Sequence, residues 1–90
     1  MKKQEFLKLN QYTIQDKVVL DLACHDGQST GIIQDLGAKY TYAVEARQEL
    51  VDIAKNNVQG NVEFFVGDIQ DHSLIAPLAE KSNTITVLGV

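Results

Sequence analysis

The sequence is poor in several residues and features that would assign it to particular protein classes. It has one cysteine, Cys24, so no intramolecular disulfide can form, as is typical of a reducing compartment. Its two histidines, His25 and His72, show no metal-ligand spacing, so we predict no metal site. It has neither a signal-peptide pattern nor an apolar run long enough to span a bilayer. We therefore predict a cytoplasmic protein without a membrane partner.

Positive charge is also scarce. The chain has 8 basic and 12 acidic residues, a formal net charge of −4, which argues against a general electrostatic affinity for nucleic acid. The apolar content of 44% and charged content of 22% are those of an ordinary globular protein. With 90 residues the chain has room for one domain, spanning 1–90, with a core of marginal size.

Apolar runs of strand length alternate with segments of helical periodicity along the chain. After a short helix at 2–9, the pattern predicts strands at 17–24, 41–46, 61–69 and 84–90, and helices at 29–36, 48–58 and 73–81. Pro77 lacks an N–H group, so we expect the last helix to begin near Ala76 or to be broken at the proline.

This alternation predicts an α/β fold, in which a parallel sheet has helices on both faces. Sequential winding gives the strand order 3-2-1-4, with a ligand crevice between strands one and four, where the order reverses. The last strand reaches Val90 without a polar tail. We interpret this as truncation at the C-terminus, and we expect the uncovered sheet edge to permit self-association.

Polar residues follow the first three predicted strands, and parallel strands bring their carboxyl ends to one edge of a sheet. The segment from Asp21 to Gly27 follows strand one, Glu45 ends strand two and Asp68 follows strand three. Gly27 permits a sharp turn and the close approach of a ligand. A carboxylate after strand two can accept both hydrogen bonds of a ribose diol, and one after strand three can accept an adenine amine. The constellation therefore indicates an adenosine-containing cofactor.

Three runs at these strand ends, VVLDLACHDGQST, YAVEA and FFVGDI, resemble in order the first three motifs of class I S-adenosylmethionine-dependent methyltransferases. The run TITVLGV lies where the fourth strand of that family lies. The resemblance covers about residues 17–90. It implies a Rossmann-like fold of which this chain holds the first four strands, S-adenosylmethionine as cofactor, and methyl transfer to an unknown acceptor.

The resemblance also implies which residues contact the cofactor: Asp21, Ala23, His25, Asp26, Gly27, Glu45, Ala46, Asp68, Ile69, Leu88 and Gly89. Ala23, His25 and Gly27 stand where the family has three glycines, beside the methionine part and the ribose. Glu45 is implied to hold the ribose diol and Asp68 the adenine amine. Ala46 and Ile69 would flank the adenine, and Leu88 and Gly89 would form the opposite lip. The catalytic residues stay unassigned, because in this family they usually follow the fourth strand.

Other interpretations stay open from the sequence. One is a nicotinamide-dinucleotide domain of an oxidoreductase, although its pyrophosphate needs more glycines in the first turn. Another is a nucleoside-binding fragment without catalytic activity. Single residues also have structural alternatives: Asp21 can cap the turn after it through backbone N–H groups, Glu45 can be a solvated acid, and Asp68 can be the N-cap of the next helix. Cys24 is more typical of a small buried residue than of a nucleophile.

Overall fold

The computed structural model describes residues 1–88 and contains one sheet of four parallel strands in the order β3-β2-β1-β4. The elements are, in chain order, α1 (Lys3–Leu9), a 3-10 turn (Gln11–Thr13), β1 (Val18–Leu22), α2 (Gln28–Asp35), β2 (Tyr40–Glu45), α3 (Gln48–Asn57), β3 (Val62–Val66), α4 (His72–Glu80) and β4 (Thr84–Thr86). The predicted α/β fold and strand order are confirmed.

Alternation along β1 divides the apolar core into two halves, one on each face of the sheet. Val19 packs with Leu7, Ile14 and Ile33 beneath α1 and α2. Leu20 points to the opposite face, where it packs with Val44 of β2, Leu78 of α4 and neighbouring partly buried residues. Each aliphatic side chain buried in this way contributes roughly 1.5–3 kcal/mol of transfer free energy. Helices therefore cover both faces, as the continuous apolar strands predict.

The prediction for Pro77 is wrong, because α4 begins at His72 and continues through the proline. Pro77 lacks the N–H that would bond to the carbonyl of Ser73, one turn earlier, and its ring crowds that carbonyl. The helix is held by other means: the Asp71 side chain accepts a hydrogen bond from the Ser73 N–H at its start, and Leu74 and Leu78 pack against the sheet. Packing and capping together outweigh one lost backbone bond.

The first and last strands are shorter than their apolar runs. β1 stops at Leu22 because Ala23 has a left-handed backbone with φ of 56°, which no strand accommodates. β4 is assigned only at Thr84–Thr86, and Gly89 and Val90 of the predicted strand lie outside the described residues. Within the described part of the chain, no helix has the length and apolar character needed to cross a membrane. Truncation and self-association stay predictions.

Candidate functional site

A short loop joins β1 to α2 at the carboxyl edge of the sheet, and its backbone is left-handed at every second residue. The φ angles are 56° at Ala23, 57° at His25 and 93° at Gly27. A left-handed backbone costs a non-glycine residue about 1–2 kcal/mol, so the surrounding contacts must hold this loop in place. Two backbone hydrogen bonds do so: the Cys24 N–H donates to Val44 O at 3.0 Å, and the Gly27 N–H donates to Cys24 O at 3.0 Å.

Gly27 is the N-cap residue of α2 and lies against α3. A Cβ atom at this position would come within 3.1 Å of the Ala54 Cβ and 3.3 Å of the Val58 Cγ2. The left-handed angle and the close approach of α3 therefore both favour glycine, and only the close approach distinguishes this position from Ala23 and His25. Of the three positions where the family has glycine, this is the one where the chain keeps it.

The Asp21 side chain faces the interior rather than the open edge of the sheet. It is fully buried, and its Oδ2 accepts hydrogen bonds from the hydroxyls of Ser29 and Thr30, each at 2.8 Å, while Oδ1 accepts one from Thr86 at 2.8 Å. Burial raises the pKa of Asp21, and these three hydroxyl groups act in the opposite direction. The proposed turn-capping role is wrong, since these donors are side chains. The carboxylate joins β1 to α2 and β4 beneath the loop.

Glu45, at the end of β2, is 3% exposed, and its carboxylate bridges two segments. Oε1 accepts the backbone N–H of His25 at 2.9 Å. Oε2 accepts two donors from Arg47, the backbone N–H at 3.1 Å and the side-chain Nε at 3.0 Å. Burial alone would raise the pKa of Glu45, but the hydrogen bonds from Arg47 and His25 outweigh it and lower the pKa. The interpretation as a solvated acid is wrong, and the β1–α2 loop is tied directly to the end of β2.

Asp68 lies beyond the end of β3 and is exposed. Its Oδ1 accepts the backbone N–H of Gln70 at 2.8 Å, while the N-cap of α4 is Asp71, so the interpretation of Asp68 as a helix cap is wrong. The Gly67 N–H donates to Glu45 O at 3.1 Å, which holds the segment before Asp68 against the end of β2. Ala46 and Ile69 follow the two acids and are both exposed.

The other predicted site residues differ in their accessibility. The His25 side chain is 48% exposed, and its Nδ1 lies 3.7 Å from Asp26 Oδ1. Cys24 is a buried free thiol whose pKa burial raises to about 12, with the negative charges of Asp21 and Glu45 adding to the effect, so it is unsuited to nucleophilic attack. Leu88 packs beside the Val19 cluster, and Gly89 lies outside the described residues.

Sequence reasoning missed four residues that shape this edge of the sheet. Ser29, Thr30 and Thr86 satisfy the buried carboxylate of Asp21, and Arg47 satisfies Glu45. The adjacent hydroxyl residues Ser29 and Thr30 were a usable signal, because they lie in the first turn of the helix that follows a strand-end acid. The role of Thr86 depends on the register between β4 and β1, which pairs Thr86 with Asp21 and which sequence spacing alone does not reveal.

Comparisons with solved structures show what this arrangement is similar to. The chain is 33% identical to a proposed RNA methyltransferase from Pyrococcus horikoshii, with a TM-score of 0.70 over 74% of this chain. It is 28% identical to protein arginine methyltransferase 10 from Arabidopsis thaliana, with a TM-score of 0.68 over 77% of this chain. The chain has the Rossmann-like fold of class I S-adenosylmethionine-dependent methyltransferases.

The same methyltransferase fold extends to more distant structures. Phosphoethanolamine N-methyltransferase 1 from Haemonchus contortus, whose structure contains phosphoethanolamine and S-adenosylhomocysteine, is 16% identical, with a TM-score of 0.62 over 73% of this chain. The present chain spans 37%, 21% and 14% of the lengths of these three proteins, in the order given. No protein-family model and no curated protein matches the sequence.

Proposed function

We propose that this chain supplies the S-adenosylmethionine-binding half of an enzyme that transfers a methyl group. The observation that carries the proposal is the bond from the His25 backbone N–H to Glu45 at 2.9 Å. It fixes the strand-end acid of β2 against the turn that leaves β1, at the edge where parallel sheets bind their ligands. The methyltransferases of similar fold lend further support.

The residues at this edge fit the chemical parts of the cofactor. Glu45 is held ionised by its donors and is suited to a ribose diol. The backbone of Gln70 bonds Oδ1 of Asp68, and within residues 1–88 the structure gives no hydrogen bond to Oδ2, which can accept the amine of an adenine. Ala46 and Ile69 each follow one of these acids and expose apolar surface to solvent. Such surfaces are suited to contact the two faces of an adenine ring. Bound there, the cofactor would supply an activated methyl group on a sulfonium.

The contribution of this chain is binding and orientation rather than acid–base chemistry. The loop from Ala23 to Gly27 would direct the methionine part of the cofactor toward the crevice predicted between β1 and β4. Its left-handed backbone is held by hydrogen bonds to Val44 and Glu45, so the geometry exists before a ligand arrives. A site formed in advance loses less entropy on binding, which favours a fixed position for the reacting group.

A nicotinamide dinucleotide fits the same edge less well. Its pyrophosphate carries negative charge and must approach the turn after β1 closely. Here Asp26 lies in that turn and the Asp21 carboxylate lies beneath it, so both carboxylates would repel a pyrophosphate if ionised. The cofactor that we propose carries a positive sulfonium and no phosphate. The acceptor is not specified, since the three methyltransferases described above differ in what their names say they methylate.

Calorimetric titration tests the proposal with two ligands, S-adenosylhomocysteine and NAD. We expect S-adenosylhomocysteine to bind and Glu45→Gln to weaken binding at least about tenfold, since bonds to a charged group contribute about 1.5–3 kcal/mol. Glu5→Gln is the matched control, because Glu5 is an exposed acid on α1 that also loses one negative charge. Binding of NAD alone, or equal affinity in both variants, contradicts the proposal.

A further inference from the structure

The carboxylate of Glu45 is almost fully used before any ligand binds. Oε1 accepts one hydrogen bond, from the His25 backbone, and Oε2 accepts two, both from Arg47. An ionised carboxylate offers about four acceptor positions, two on each oxygen. Within the described part of the chain, one position therefore stays open, on Oε1.

A ribose diol brings two O–H donors, and a carboxylate that binds both needs two open positions. One of the three existing donors must then leave. The N–H groups of His25 and Arg47 belong to the backbone, at the β1–α2 loop and at the N-cap of α3, and both are fixed by the fold. The third donor, Nε of Arg47, belongs to a side chain that is 55% exposed.

The rest of the Arg47 guanidinium does not resist such a movement. Within residues 1–88, Nε is the only nitrogen of this group for which the structure gives a hydrogen bond. Because the Arg47 side chain is half exposed, water can replace its bond to Glu45, so this ion pair contributes less than one in which both partners are buried. Two hydroxyl donors from a ligand can therefore compete with it.

We infer that the Arg47 side chain holds the acceptor position on Glu45 Oε2 that one ribose hydroxyl takes, so the ligand must displace it. This inference rests on the proposed function, since it assumes a ribose at Glu45. It makes Arg47 a residue that sets the affinity and ribose specificity of the site. A ligand with both hydroxyls must move Arg47, whereas a ligand that keeps only the hydroxyl facing Oε1 can use the open position there.

The test measures the affinity of S-adenosylhomocysteine at pH 8, where Glu45 is ionised, for Arg47→Ala and Arg47→Met. The methionine variant keeps most of the apolar stem if the alanine variant folds poorly. Lys55→Ala is the matched control, because Lys55 is an exposed cation in the last turn of the same helix. We expect both Arg47 variants to bind about three- to fivefold more tightly than the wild type and Lys55→Ala to leave the affinity unchanged, the gain reflecting a half-exposed ion pair.

Ribose analogues identify the cause of the gain. With the 2′-deoxy and 3′-deoxy analogues of S-adenosylhomocysteine, the gain should vanish for the one whose remaining hydroxyl binds Oε1. Unchanged or weaker binding by the Arg47 variants overturns the inference while leaving the proposed function standing, and so does an equal gain with both analogues. Absence of binding to every variant and to the wild type overturns the proposed function and removes the premise of the inference.

Discussion

Replacement of Gly27 by alanine tests whether the loop geometry depends on contact with α3. Two penalties add at this position. The left-handed φ of 93° costs an alanine about 1–2 kcal/mol. The new Cβ would also lie 3.1 Å from the Ala54 Cβ and 3.2 Å from the Ala54 Cα, and crowding in a packed region costs typically about 1–3 kcal/mol. We expect a total loss of about 2–5 kcal/mol.

Gly37 provides a matched control, because its φ is also 93° while a Cβ there would make only ordinary van der Waals contacts. The nearest atoms would be the Gln15 Cγ at 3.4 Å and the Gln15 Cα at 3.9 Å. Gly37→Ala should therefore cost only the backbone penalty, about 1–2 kcal/mol. The difference between the two variants isolates the contact with α3.

Urea unfolding followed by circular dichroism gives both free energies of unfolding, and thermal melts should show about 4–8 °C per kcal/mol for a domain of this size. Ala54→Gly in the Gly27→Ala background should recover part of the loss, even though glycine alone costs the helix about 1 kcal/mol. Equal losses for Gly27→Ala and Gly37→Ala, or additive effects of Gly27→Ala and Ala54→Gly, would refute the assignment of the penalty to α3.

Two further predictions concern the buried polar groups. Thr86→Val removes the hydroxyl donor to Asp21 Oδ1 and should lower the free energy of unfolding by about 1–3 kcal/mol, whereas Thr41→Val should be neutral or stabilising, because the buried Thr41 hydroxyl has no partner within the described residues. Urea titrations at several pH values test the two acids. The loss of free energy of unfolding caused by Asp21→Asn should become smaller as the pH rises from about 4, because the pKa of Asp21 is raised in the folded state and the wild type loses stability when this group ionises. The loss caused by Glu45→Gln should instead become smaller as the pH falls below about 4, because the pKa of Glu45 is lowered in the folded state and the wild type loses stability when this group is protonated. Plots of the free energy of unfolding against pH that run parallel for the two variants contradict the reasoning.

The strand order and the positions of the three acids at strand ends were predictable because local patterns determine both. Continuous apolar runs identify strands buried on both faces, and alternation with helices leaves few ways to wind a parallel sheet. Asp21, Glu45 and Asp68 then fall at strand ends by position alone. Element boundaries were less accurate, because Ala23 ends β1 through its backbone angle rather than its side-chain character.

The orientation of the strand-end acids was not predictable in the same way. Asp21 and Asp68 both end or follow an apolar run, yet one is fully buried among three hydroxyls and the other is exposed beside Gln70. Asp21 lies on a central strand beneath α2, whereas Asp68 lies beyond the edge strand β3. The strand order indicates which strand is central, but the side chains that surround each carboxylate depend on packing and register, which a sequence pattern does not contain.

The three strand-end acids differ in their depth in the sheet, and the proposed function gives them different roles. Asp21 has no exposed surface, so in the proposed site it would act by joining β1 to α2 through Ser29 and Thr30 beneath the loop. Glu45 can bind both hydroxyls of a ribose only if the Arg47 side chain moves, because the other two donors belong to the backbone. Affinity measurements on variants of the three acids alone would not distinguish an acid that contacts the ligand from one that holds the loop. Only Glu45 should show coupling between its affinity for a ribose and the presence of Arg47, and that coupling separates a residue that contacts the ligand from one that shapes the loop.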